Sequence, residues 1–155
     1  MLGGNMLKEG EKIPKFKVIT SKGETFTNAD IQGKKVIFYF YPKDDTPGCT
    51  KEAQGFSDNV KEFNKKEVTI YGISKCSVKK HEKFCSKYSF EHELLSDEDN
   101  TLCEDFGVWK EKSMYGKKYM GIERSTFLIN EDGLIIKSWE KVKVPGHVEN
   151  VLESI

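Results

Sequence analysis

Apolar positions along this chain fall into two kinds of pattern. Val36 to Tyr41 is an unbroken run of β-branched and aromatic residues closed by Pro42 and the Asp44-Asp45 pair, which predicts a buried strand. Val68 to Ile73 predicts a second. Between them Ala53, Phe56, Val60 and Phe63 recur at spacings of three, four and three, the stripe of a helix starting at Pro47 with one face turned inward. Two parallel strands around a helix make a right-handed crossover, so the fold class is α/β. Upstream, Phe16 to Ile19 and Glu24 to Thr27, joined through Ser21-Lys22-Gly23, predict a hairpin capping one sheet edge, followed by a short helical turn at Asn28 to Ile31. Downstream, Val78, His81, Phe84, Cys85 and Tyr88 share one side of a helix over Val78 to Tyr88, and a shorter helix over about Asn100 to Phe106 stops at Gly107. Ser125 to Ile129 and Leu134 to Trp139 form a second hairpin, and Pro145 opens a last helix to Ile155. The expected order is β-β-β-α-β-α-α-β-β-α in one domain over residues 7–155, with residues 1–6 as a leader outside the fold.

Composition narrows the function classes. A chain of 155 residues with 37% hydrophobic content supports one core. Its 25 basic and 25 acidic residues cancel, and no basic stretch is interleaved with aromatics, so no nucleic-acid partner is expected. No run of eighteen or more apolar residues occurs, and Met1 to Asn5 lacks the regions of a secretory signal, so the expectation is a soluble, cytoplasmic protein without a membrane partner. Four cysteines, at 49, 76, 85 and 103, are too sparse for a disulfide scaffold and point to redox chemistry.

The chemistry centres on the turn after the first buried strand. Thr46 suits an N-cap, Pro47 the first helical position, and Cys49 then falls in the first turn. Unpaired N–H groups and the positive end of the helix dipole favour a thiolate there, as a nucleophilic cysteine requires. A buried structural cysteine is the alternative, but an ordinary core position does not call for Thr-Pro-Gly before it.

Pro42-x-x-x-Thr46-x-x-Cys49 is similar to the active-site motif of the peroxiredoxins, and YPKDDTPGCT resembles their bacterioferritin comigratory protein, or peroxiredoxin Q, branch. The resemblance runs from LKEG at Leu7 through LLSDED at Leu94 to Asp99 and FGVWKEK at Phe106 to Lys112, then GIERSTFLI at Gly121 to Ile129, leaving only the first six residues outside. It implies a thioredoxin-like fold with an N-terminal hairpin extension, which the element order also fits. It further implies a monomeric thiol peroxidase acting on hydrogen peroxide and alkyl hydroperoxides without metal, haem or flavin.

Peroxide reduction needs an ionised sulfur, an aligned peroxide and donors that meet the charge developing on the breaking O–O bond. The resemblance assigns Cys49 as nucleophile, Thr46 as hydroxyl donor to thiolate or peroxide, Pro42 as the shield against water and Arg124 as the charged fork holding peroxide oxygens. Taken alone, without the resemblance, Arg124 reads as a surface residue paired with an acid such as Glu123. A second thiol must then resolve the sulfenic acid. Many relatives place it five residues after the nucleophile, where this chain has Gln54; a second subgroup places it thirty-six residues downstream, where Cys85 stands. The resemblance therefore implies a Cys49–Cys85 disulfide recycled by thioredoxin or glutaredoxin.

Cys103, beside Leu102 and Phe106, reads as core. A zinc site of Cys76, His81 and Cys85 lacks a fourth ligand, so no metal is expected. His81 reads as a helix-face histidine able to tune Cys85, and His92 and His147 as solvated loop residues. Two rivals remain: an ordinary thiol-disulfide oxidoreductase, against which the lack of any Cys-x-x-Cys pair counts, and a non-enzymatic redox sensor or holdase using the same cysteine.

Overall fold

The computed structural model of the chain describes residues 5–155. Its strands are β1 (Lys17–Thr20), β2 (Thr25–Thr27), β3 (Lys35–Phe40), β4 (Val68–Ser74), β5 (Glu93–Ser96), β6 (Trp109–Met114), β7 (Lys117–Ile122), β8 (Ser125–Ile129) and β9 (Ile135–Trp139). The helices are α1 (Pro47–Asp58), α2 (Val60–Lys65), α3 (Val78–Tyr88), α4 (Leu102–Asp105) and α5 (His147–Glu153), with a 3-10 turn at Asn28–Asp30. Seven strands form one sheet in the order β2-β1-β5-β4-β3-β8-β9, and β6 pairs with β7 as a separate ribbon. The centre is parallel, β4 lying between β3 and β5, while β8 and β9 on one side and β1 and β2 on the other run antiparallel.

This is the mixed α/β, thioredoxin-like architecture that the sequence predicts, with the N-terminal hairpin at one sheet edge. Strand alternation divides the core in two, because successive side chains of a strand point to opposite faces. From β3, Ile37 and Tyr39, with Tyr41 just beyond it, meet Ala53, Phe56, Phe63 and Phe84 of the helices and Val148 and Val151 of α5. Val36, Phe38 and Phe40 meet Phe16, Phe26, Phe106, Phe127 and Ile129 on the other face.

Four features depart from the expected order. The strand β5 was not expected; it is four residues long and its register comes from pairing with β4. Nor was the β6–β7 ribbon, whose residues are mostly charged or half-exposed. The first helix is two helices, α1 and α2, broken at Asn59, whose Nδ2 donates to Gly55 O at 2.8 Å; Phe56 and Phe63 stay buried on either side of the break. Finally, of the six residues expected outside the fold, 1–4 lie outside the described residues, but Met6 is buried in the second core and Leu7 N donates to Phe106 O at 3.1 Å. The chain approaches so closely there that a Cβ on Gly107, at φ +76°, would stand 2.3 Å from Asn5 O.

Candidate active site

The site forms where β3 ends and α1 begins. Thr46 takes an extended N-cap conformation (φ −94°, ψ 156°) and its backbone oxygen accepts the first helical bond from Thr50 N at 2.8 Å. Its side chain does not cap the helix as expected; Oγ1 donates to Lys43 O at 3.0 Å and ties the turn together. Cys49 follows in the first turn, only 2% exposed and packed into the helix-side core.

Arg124, in the link between β7 and β8, reaches this thiol. Its Nη2 lies 3.4 Å from Cys49 Sγ and its Nη1 donates to Glu52 Oε1 at 2.6 Å. The alternative reading of Arg124 as a surface partner of Glu123 is therefore corrected: its acid is Glu52, one helical turn after Cys49. Burial works against the guanidinium charge, but Glu52 and Cys49 outweigh it and raise the arginine above its ordinary value. Burial also pushes the Glu52 carboxyl up to about 7 against the opposing pull of Arg124. Its second oxygen, Oε2, is buried without a partner among the described residues. Sequence reasoning missed Glu52, although it sits beside Ala53 on the apolar stripe, where an acid needs a partner.

Pro42 is exposed and, with Lys112, Trp109, Tyr119 and Ile122, lines a groove of about 430 Å³ between the active-site turn and the β6–β7 ribbon; Cys49 is not among its walls. Lys112 donates to Ile122 O. Burial, then the nearby Arg124, lowers its ammonium below the ordinary lysine value.

Cys85 lies on α3, half-buried against the same core as Cys49, and all four thiols are free. Burial pushes the Cys85 thiol above its ordinary value, partly offset by a hydrogen bond from Ser21. Cys103 is fully buried, as expected of a core residue. Its backbone N–H donates to Asp97 Oδ2 at 2.8 Å, and burial raises the thiol well above its ordinary value. Cys76, half-buried at the end of β4, accepts from Asp44 N at 3.4 Å.

The histidine expectations need correction. His81 does not face Cys85: fully buried, it meets Asp44 Oδ2 through Nδ1 at 2.6 Å and Leu95 O through Nε2 at 3.0 Å. His92 and His147 are buried rather than solvated, 7% and 6% exposed. His92 Nε2 pairs with Tyr39 Oη at 2.6 Å and His147 Nε2 with Thr126 Oγ1 at 2.8 Å. Burial lowers both imidazoles to about 4, with Arg124 contributing at His147.

The chain matches the AhpC/TSA family over residues 10–138. It is 47% identical over 146 residues to the peroxiredoxin Bcp of Bacillus subtilis, covering 94% of this chain and 93% of that relative. A bacterioferritin comigratory protein of Xanthomonas campestris, whose structures concern its alkyl peroxide reduction activity, superposes with a TM-score of 0.85 at 45% identity, covering 90% of this chain and 88% of that one. The PrxQ of Xylella fastidiosa superposes with a TM-score of 0.92 at 39% identity over 97% of this chain and 96% of that one.

Proposed function

Because the chain belongs to the AhpC/TSA family, with bacterioferritin comigratory proteins as its relatives, we propose that it is a thiol peroxidase that reduces hydrogen peroxide and organic hydroperoxides at Cys49. The observation that carries this reading is the Arg124 fork, with one arm on Glu52 at 2.6 Å and the other 3.4 Å from Cys49 Sγ. A fixed guanidinium beside a sulfur in the first turn of a helix meets negative charge both on the sulfur and on the oxygen that leaves.

In the first step the Cys49 thiolate attacks one peroxide oxygen in line with the O–O bond. The S–O bond forms, the O–O bond breaks, and the departing alkoxide or hydroxide takes a proton to leave as alcohol or water. The peroxide is reduced and the sulfur becomes a sulfenic acid. In the second step the Cys85 thiolate attacks that sulfur and expels hydroxide, closing a Cys49–Cys85 disulfide. A dithiol reductant of the thioredoxin or glutaredoxin class then returns both thiols. Thr46 donates its hydroxyl hydrogen to Lys43 O, which leaves it able to accept from a peroxide O–H but not to donate to the thiolate, and Pro42 stands exposed on the neighbouring groove. The reading places this cycle in a cytoplasmic monomer; among the described residues no helix is long and apolar enough to cross a membrane.

The test is peroxide consumption with thioredoxin, its reductase and NADPH, together with mapping of the disulfide after one equivalent of peroxide. Cys49→Ser should abolish even a single turnover. Cys85→Ser should keep the first oxidation, stop cycling and accumulate sulfinic acid at Cys49. A protein that reacts once and stops in the presence of reductant is a sensor rather than a peroxidase, and normal peroxide consumption by Cys49→Ser would end the reading altogether.

A further inference from the structure

The β6–β7 ribbon stands apart from the seven-stranded sheet. Of the five large hydrophobic side chains exposed among the described residues, three are on it, Met114, Tyr115 and Tyr119. Tyr115, at the tip, is 99% exposed and sits in the left-handed region at φ 51°, followed by Gly116 at φ 78°. That pair of conformations suits Asn-Gly and strains a tyrosine, and a ring in open solvent recovers nothing from packing. The fold does not account for Tyr115.

Charge is segregated on the same ribbon. Its strands and turn carry Lys110, Lys112, Lys117 and Lys118 against one acid, Glu111, in a chain whose formal net charge is zero. Residues directly opposite in an antiparallel pair share a face. The register Lys110↔Gly121, Lys112↔Tyr119 and Met114↔Lys117 therefore builds one face from lysines, a tyrosine and a methionine, with no acid on it. Glu111, opposite Met120, belongs to the other face, where Lys118 Nζ lies 3.6 Å from its Oε1.

We propose that the tip and the acid-free face of this ribbon dock on an anionic lipid bilayer. The apolar ring and polar hydroxyl of Tyr115 suit the headgroup level, where tyrosine collects in membrane-facing proteins. Met114 enters beside it, and Lys110 and Lys117 meet the lipid phosphates. A protein partner draws its affinity from side chains enclosed in well-packed pockets, whereas a bilayer takes a single projecting ring without a matching shape. Docking brings to the lipid surface the groove that Lys112 and Tyr119 line together with Pro42, so hydroperoxides of lipid chains reach it without crossing water. That consequence rests on the peroxidase reading; the docking itself does not.

The experiment is co-sedimentation of the full chain with vesicles of phosphatidylcholine alone and of phosphatidylcholine mixed with phosphatidylglycerol, at low and high salt. The protein should bind the mixed vesicles, leave the neutral ones in solution and be released by salt. Tyr115→Asn, which suits the left-handed position, should weaken binding by about tenfold, the scale of withdrawing one apolar side chain. Lys110→Gln with Lys117→Gln should weaken it by about 30-fold, from roughly fivefold per lysine at an anionic surface. Lys61→Gln with Lys65→Gln makes the same change in net charge on α2, before the start of β4, whereas the ribbon's Trp109 lies under Lys75 Nζ just past the end of that strand; it should leave binding unchanged. All variants should keep the parent's melting temperature and hydrogen peroxide consumption. Equal binding to both kinds of vesicle, no binding to either, or an equal loss in the α2 variant would overturn the proposal. So would a parent dimer in size-exclusion chromatography that Tyr115→Asn dissociates, since the face would then belong to a second copy. Each of these failures leaves the peroxidase reading standing, and a parent that binds the anionic vesicles but consumes no peroxide would sink that reading and keep the docking.

Discussion

Glu52 offers the sharpest physical test because its carboxyl is fully buried and, among the described residues, has one charged partner, Arg124. A rise from the ordinary 4.5 to about 7 corresponds to roughly 3 kcal/mol of preference for the neutral form in the folded protein. Below pH 4.5 the group is protonated in both folded and unfolded states and contributes no pH dependence. Between 4.5 and 7 the unfolded chain releases its proton first, the folded protein binds more protons, and stability falls as pH rises. Above 7 both states are ionised and the folded protein carries the full cost. Glu52→Gln keeps the shape and an oxygen acceptor for Arg124 Nη1 but removes the titration. His92 and His147, lowered to about 4, act in the opposite sense: their contribution is lost as pH falls from 6.5 towards 4. They are present in both proteins and cancel in the difference. Urea unfolding of reduced wild type and Glu52→Gln at pH 5, 6, 7 and 8 should show the wild type losing about 2.5 kcal/mol relative to the variant across this range, most of it by pH 7. A difference that is flat, or that moves in favour of the wild type as pH rises, would refute the account of how burial and Arg124 compete at this carboxyl.

Two further predictions come from single contacts. Arg124→Lys retains a charge but cannot hold Glu52 and face Cys49 with two arms at once, so the second-order rate of Cys49 oxidation, followed by stopped-flow fluorescence, should fall about 10²-fold; an unchanged rate would remove Arg124 from the chemistry. Gly72→Ala would place a Cβ 2.6 Å from the Tyr39 ring and 2.8 Å from Leu94 Cδ2, displacing the tyrosine that pairs with His92. It should cost about 1–3 kcal/mol by urea midpoint, and a neutral result would mean that Tyr39 moves aside freely.

What could be read from the sequence follows the range of the forces involved. The strands β3 and β4 are long and apolar, and α3 carries its own 3.6-residue stripe and a Ser77 cap that accepts from Lys80 N, so each is specified by its own residues. The turn from Pro42 to Cys49 was legible for the same reason, since Thr46, Pro47 and the thiol act within one helical turn. By contrast, β5 has too few residues to show a period and is defined by its neighbours, and the β6–β7 ribbon buries little on either face. The break at Asn59 left the apolar spacing intact and so left no trace in the pattern. Glu52, His81, His92 and His147 were undervalued because the partner that makes each tolerable inside the protein comes from a distant part of the chain. An ionisable residue on an otherwise apolar face was the available signal for Glu52 and His81.

The division of the core by β3 bears on how the protein survives its own turnover. Cys49, Cys85 and the aromatic residues around them belong to the helix side of the sheet, whereas Phe16, Phe26, Phe38, Phe106 and Phe127 pack on the far side with none of the reacting groups among them. Regions that open sub-globally do so as cooperative units with free energies below that of global unfolding. In the proposed Cys49–Cys85 cycle one layer loosens while the other retains its packing and the strand order. Amide protons of β3, β4 and β8 should exchange only by global unfolding, and those of α1 and α3 faster, through opening of the helix-side layer.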